Sequence, residues 1–216
     1  MNAVESELRA AWEEPFTLLH LPTSPADSAF TSLVTQYSQP SRVYHNLGHI
    51  AHLLETVTPF RDHLAVPDFA ALLLAIWFHD AVYDTKASDN EAQSAVLAVQ
   101  VLQSLSVPEQ VLVTVERLIL ATKTHQAVDD DRVCQILLDT DLSILGSSSS
   151  EYDQYAQAIR QEYGWVPDDQ YRSGRTQVLQ HFLRRPRIYW MEPMFLSRER
   201  KARENMEREI MRLAHP

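Results

Sequence analysis

The stretch FAALLLAIWFHD, residues Phe69 to Asp80, decides how the rest of the chain is read. From Phe69 to Phe78 it is apolar without a break, and its Leu, Ile and Trp residues read as a helix sunk in a core. The run then stops at His79 and Asp80. Polar groups at the end of a buried helix are costly unless something binds them. A divalent metal ion is the partner that an imidazole and a carboxylate suit together.

Working outward, the same apolar periodicity recurs along the whole chain. Only four glycines stand among 216 residues, which leaves little material for hairpin turns, while Ala, Leu, Gln, Glu and Arg fill the periodic segments. The expectation is an all-α, single-domain helical bundle spanning residues 1–216. Its helices run from Asn2 to His20, Pro25 to Gln39, Asn46 to Thr56, Pro67 to Val82 and Asp89 to Leu105. They continue from Pro108 to Thr122, Arg132 to Ile144, Glu151 to Tyr163, Pro167 to Arg184 and Pro193 to Leu213. Pro25, Pro108 and Pro167 suit first-turn positions, and Ser88 with Glu91 has the spacing of a capping box. Ser147 to Ser150 is the only low-complexity piece and reads as a short loop carrying the N-cap of the next helix. The charged stretch SRERKARENMEREI (Ser197–Ile210) is expected to pack back through Met206, Ile210 and Leu213.

Composition narrows the function classes. Lys plus Arg number 19 against 29 for Asp plus Glu, a net charge of −10, which disfavours a nucleic-acid scaffold and requires any phosphate pocket to be locally basic. The single cysteine, Cys134, lies in the apolar RVCQILL and reads as a core residue, so a reducing, cytoplasmic setting is expected. The N-terminal stretch Met1–Leu19, with Glu5, Glu7, Arg9, Glu13 and Glu14, lacks the apolar run of a signal peptide, and no run of apolar residues is long enough to predict a membrane span. Homo-oligomerisation is left open.

The chemistry-bearing residues cluster in a few motifs. RVYHNLGHIAHLL (Arg42–Leu54) places His45, His49 and His52 at helical spacings of four and three, so they could share one side of a helix. Three histidines so spaced do not easily ligate one ion. Asp139 and Asp141 in LLDTDLSILG offer carboxylates that a helix would direct about 160° apart, so only one of them can face a given ion. Arg42, Lys123 and His125, with Arg172 and Arg175 of YRSGR, could meet phosphate oxygens, although most helical arginines are solvated or ion-paired. Glu91 and Asp84 are acids close after the His79–Asp80 pair.

The order His49, His79–Asp80, Asp141 resembles the ligand order of the HD superfamily of metal-dependent phosphohydrolases. The motifs YHNxxHI, FHDxVYD, DNExxSA, DxDLxxLG, YRxGRxxVLxxFL and ARxNxxxEI extend that resemblance from Val43 to Ile210, towards an uncharacterised bacterial subgroup. The resemblance implies an HD-type helical fold, with a metal-binding core over about 42–146 and C-terminal helices over 151–214. It also implies His49, His79, Asp80 and Asp141 as metal ligands, for a divalent ion (Mn, Fe, Co, Ni, Zn or Mg), with Asp139 as rival or support to Asp141. The segment IYWMEPMF (Ile188–Phe195) departs from the subgroup's pattern, where a Thr is expected near Met191 or Glu192.

The implied reaction is hydrolysis of a nucleotide or other small phosphorylated metabolite by metal-activated water. Asp80 or Glu91 would handle the water proton. His45, Arg42, Lys123, His125 and Arg175 are the candidates for binding substrate. The competing roles are a capping-box partner for Glu91, an exposed helix-start histidine for His45, and a second-ion ligand or a helix-end residue for His125. Two other classes stay open: an HD-type di-iron oxygenase, and a non-catalytic metal-containing regulatory module.

Overall fold

A computed structural model describes residues 3–215; Asn2, where the first helix is expected to begin, lies outside the described residues. Among those residues the chain is all-α, with no strand. The helices are α1 (Ala3–Leu18), α2 (Asp27–Tyr37), α3 (Leu47–Val57), α4 (Val66–Phe78), α5 (Asn90–Ser104), α6 (Glu109–Thr122), α7 (Arg132–Asp141), α8 (Ser149–Glu162), α9 (Asp168–Leu183) and α10 (Glu192–Ala214). Short 3-10 turns cover Ser24–Ala26, Thr58–His63 and Leu142–Gly146. No described helix is long and apolar enough to cross a membrane. The chain divides into two compact units after Leu137, so the division falls inside α7 and not in the serine loop.

In the first unit α4 is the axle. Every side chain from Phe69 to Phe78 is buried, and α1, α3, α5 and α6 pack against the helix. Trp77 meets Trp12 edge to face with ring centroids 5.6 Å apart, and Phe16 and Phe30 close the aromatic cluster around Trp12. The Trp12 indole N–H donates to the Ala26 carbonyl at 3.0 Å, which ties α1 to the turn before α2. Cys134 is buried, as expected of a core thiol, and burial raises its pKa.

The second unit is built around α10, which packs on α8, α9 and the Leu142–Gly146 turn. Gly146 is required there, because a Cβ would lie 2.6 Å from Arg198 Cβ and 2.8 Å from the Arg198 carbonyl oxygen. The packing face of α10 is more polar than its sequence suggests. Met194, Ala202 and Met206 are buried, but so are Glu199, Asn205 and Glu209, whereas Ile210 and Leu213 are only half-buried. Each buried polar group has its partners. Glu209 takes Arg175 Nε at 2.9 Å and the Tyr152 hydroxyl at 2.6 Å, and Glu199 accepts the Ile188 N–H at 3.0 Å.

Several boundaries differ from the sequence reading, each for a local reason. α4 stops at Phe78 and not at Val82, because the Ala81 N–H turns back onto the Phe78 carbonyl at 3.0 Å. The helix expected from Arg132 to Ile144 tightens to 3-10 at Leu142. Pro108 and Pro167 occupy N-cap positions, one residue outside the first turn. The Ser88–Glu91 capping box does not form: Asp89 is the N-cap of α5, with no side-chain cap bond, and the Ser88 carbonyl accepts Lys123 Nζ at 2.6 Å. The serine loop behaves as read, with Ser148 and Glu151 forming a full capping box.

Two substitutions test this packing. Trp77→Ala should destabilise the chain by about 3–5 kcal/mol through loss of buried area and the cavity left behind. Glu209→Ala should cost a similar amount, about 3–5 kcal/mol, by leaving the Arg175 guanidinium buried without its carboxylate. Urea unfolding followed by circular dichroism measures both, and a loss below about 1 kcal/mol in either would refute the corresponding packing role.

Candidate metal centre

Two helix termini deliver the site. At the start of α3, Asn46 is the N-cap: its side-chain oxygen accepts the Gly48 N–H at 2.7 Å, and its amide donates to the Val43 carbonyl at 2.7 Å. This fixes the first turn, and with it His49, whose side chain is 1 % exposed. At the far end of α4, His79 is the C-cap and Asp80 follows in the turn.

The orientation of His79 follows from its hydrogen bond. Its Nδ1 lies 2.9 Å from the Ile76 carbonyl, which can only accept, so Nδ1 carries a proton and Nε2 is turned into the site. Nε2 lies 3.1 Å from Asp80 Oδ2 and 3.3 Å from His49 Nε2, with 3.9 Å between His49 Nε2 and Asp80 Oδ2. Two imidazole nitrogens and a carboxylate oxygen are thus drawn within 3.9 Å of one another inside the first unit. Asp141, the remaining ligand that the motif order implies, closes α7 and belongs to the second unit. The donor set, two imidazole nitrogens with carboxylate oxygens, fits a borderline divalent ion.

The other candidates fall into separate local settings. His45 is half-buried, its ring 4.4 Å from that of Tyr83 and 5.7 Å from that of His49. His52, on the same helix, lines a cleft of about 650 Å³ together with Ala51, Glu55 and the α1 residues Glu7 and Glu14. Arg42 is buried, donating to the carbonyls of His45, Asp80 and Ala81. Glu91 lies 4.0 Å from Lys123 Nζ. His125 follows α6 in a left-handed conformation, φ 49°, with its N–H on the Ala121 carbonyl. Asp84 is an exposed turn residue accepting the Lys86 N–H at 2.9 Å. Arg172 is half-buried, and Arg175 is the buried partner of Glu209.

Asp139, the rival to Asp141, uses both carboxylate oxygens on backbone: Oδ1 accepts the Trp190 N–H and Oδ2 the Met191 N–H, each at 2.7 Å. Burial pushes its pKa up to about 7 against the pull of those two bonds. The sequence reading missed Tyr44 and Tyr83, whose rings flank His45, and Ser94, whose buried hydroxyl accepts the Val82 N–H at 3.0 Å. Ser94 left a trace in the sequence, as a small polar residue on the inward face of α5.

Set against family models, curated proteins and solved structures, the chain matches none. What the fold and the site define is an all-α protein whose first unit gathers a His–His–Asp group, His49, His79 and Asp80, that could hold a metal ion.

If the group holds an ion, His49→Ala and His79→Ala should each weaken Mn²⁺ or Co²⁺ binding by more than about a hundredfold, since even supporting residues around such ligands are worth about 10–100-fold. His52→Ala should leave the affinity unchanged. Calorimetric titration decides it, and wild-type affinity in either ligand variant overturns the site.

Proposed function

We propose that the protein is a metal-dependent phosphohydrolase acting on a nucleotide or other small phosphorylated metabolite. The observation that carries the reading is the convergence of His79 Nε2, His49 Nε2 and Asp80 Oδ2 within 3.9 Å of one another, a donor set that suits a divalent cation. The motif order His49, His79–Asp80, Asp141 supports the same assignment. His49, His79, Asp80 and Asp141 are the ligands proposed. A bound divalent ion would supply charge neutralisation of a phosphoryl oxygen and a lowered pKa for water.

The chain's own residues take the remaining roles in this proposal. The Asp80 side chain is 19 % exposed, while both imidazoles are 1 % exposed, so of these three Asp80 is the one that meets water and could accept its proton. Lys123, with 53 % of its side chain exposed, offers a positive charge for a phosphate oxygen, positioned by the Ser88 carbonyl at 2.6 Å and by Glu91 at 4.0 Å. The half-buried ring of His45 contributes a polar edge beside the ligands.

A panel of nucleotides and sugar phosphates, assayed with Mn²⁺, Mg²⁺, Co²⁺ and Ni²⁺, should reveal a turned-over substrate, with activity lost in Asp80→Ala. Glu91→Gln should keep its metal yet slow at least about tenfold if Glu91 shares in proton transfer, a contribution that typically reaches 10²–10⁴-fold. Absence of phosphate release from every member of the panel by metal-loaded protein refutes the proposal.

A further inference from the structure

Arg42 was expected to meet substrate phosphate, but its guanidinium points into the protein. Nη1 donates to the Asp80 carbonyl at 2.6 Å and to the His45 carbonyl at 3.3 Å, and Nη2 donates to the Ala81 carbonyl at 2.9 Å. The group also lies over the rings of Tyr37 and Tyr83, at 4.9 and 5.4 Å from their centroids. Arg42 is 6 % exposed, its Nε–H is buried without a partner, and its partners among the described residues are carbonyls and rings rather than a carboxylate. Burying a cation without a counter-charge, and leaving one donor idle, costs stability that an apolar side chain of the same volume would not.

The carbonyls it joins show what that cost supports. His45 directly precedes Asn46, the cap that sets the first turn of α3 and therefore His49. Asp80 and Ala81 form the turn that follows His79. One rigid fork thus spans the two segments that supply ligand atoms, on α3 and at the end of α4. We propose that Arg42 is the positioning residue of the metal centre, fixing the spacing of His49 against His79 and Asp80, and that it does not bind substrate. This rests on the reading of the site as a metal centre.

Two rival roles predict different results. If Arg42 only caps the end of α4, its loss lowers stability and leaves metal affinity alone. If it acts only through its charge, removing a nearby positive charge tightens the binding of a divalent cation. The positioning role alone predicts weaker binding when the charge is removed, and weaker binding again when the charge is kept but the fork is lost.

The experiment titrates Co²⁺, alone, into wild type, Arg42→Met and Arg42→Lys, reading affinity and the visible d–d bands, with apo-protein unfolding measured in parallel. Both variants should bind Co²⁺ at least about tenfold more weakly, the usual scale for residues that orient ligands, with altered d–d bands. Wild-type or tighter affinity with unchanged bands overturns the proposal while the metal centre stands. If Arg42→Met does not fold, Arg42→Lys carries the same decision. A wild type that binds no Co²⁺ overturns the metal centre itself, and the proposal with it.

Discussion

The last turn of α4 is the constraint on which the first unit depends. A helix ends with carbonyls that have no partner inside the helix, and here that end is buried where water cannot serve them. Side chains do so instead. His79 Nδ1 takes the Ile76 carbonyl at 2.9 Å, the Tyr37 hydroxyl the Trp77 carbonyl at 3.0 Å, and Arg42 the carbonyls of Asp80 and Ala81. The same bond that satisfies Ile76 sets the orientation of the His79 ring and turns Nε2 towards His49 and Asp80. Ending the buried helix and preparing the site are one operation.

How much of this was legible depended on how local the cause was. The apolar run from Phe69 to Phe78 needs no knowledge of its neighbours to be read as a buried helix, and the Asn46 and Ser148 caps satisfy donors within three residues of themselves. His49, His79 and Asp80 were readable as a set because the motif keeps their order. The setting of Arg42 was not legible, because nothing near it in sequence reveals that its partners are the carbonyls of Asp80 and Ala81. The Ser88–Glu91 box failed for a similar reason: Lys123, far along the chain, takes the Ser88 carbonyl and approaches Glu91. Spacing rules describe isolated helices, and a distant side chain can override them.

The second unit shows the same limit in its choice of core residues. Charge count and periodicity assign Glu199, Asn205 and Glu209 to a solvated face, yet all three are buried with specific partners: backbone N–H groups, carbonyls and Arg175. A buried ion pair adds little net stability compared with apolar residues of the same size, but it strongly penalises any register in which its partners are missing. Along a helix as long as α10, whose apolar stripe is thin, such bonds define one register against the Leu142–Gly146 turn where an apolar seam would tolerate slippage.

Whether the metal group serves folding or chemistry turns on its ligands and on its openness. Structural sites for transition metals are typically closed and rich in thiolates, whereas catalytic sites keep one side accessible. The only cysteine, Cys134, is buried and its thiol is held protonated by desolvation, so no thiolate is offered. Of the three residues the first unit gathers, the two imidazoles are sealed and the Asp80 carboxylate is partly exposed. A site meant only to hold the fold together gains nothing from an open edge, since water there competes for the ion. An open carboxylate beside two sealed imidazoles would instead give water and a small anion a place to meet a bound ion, which is the arrangement the proposed hydrolytic role requires.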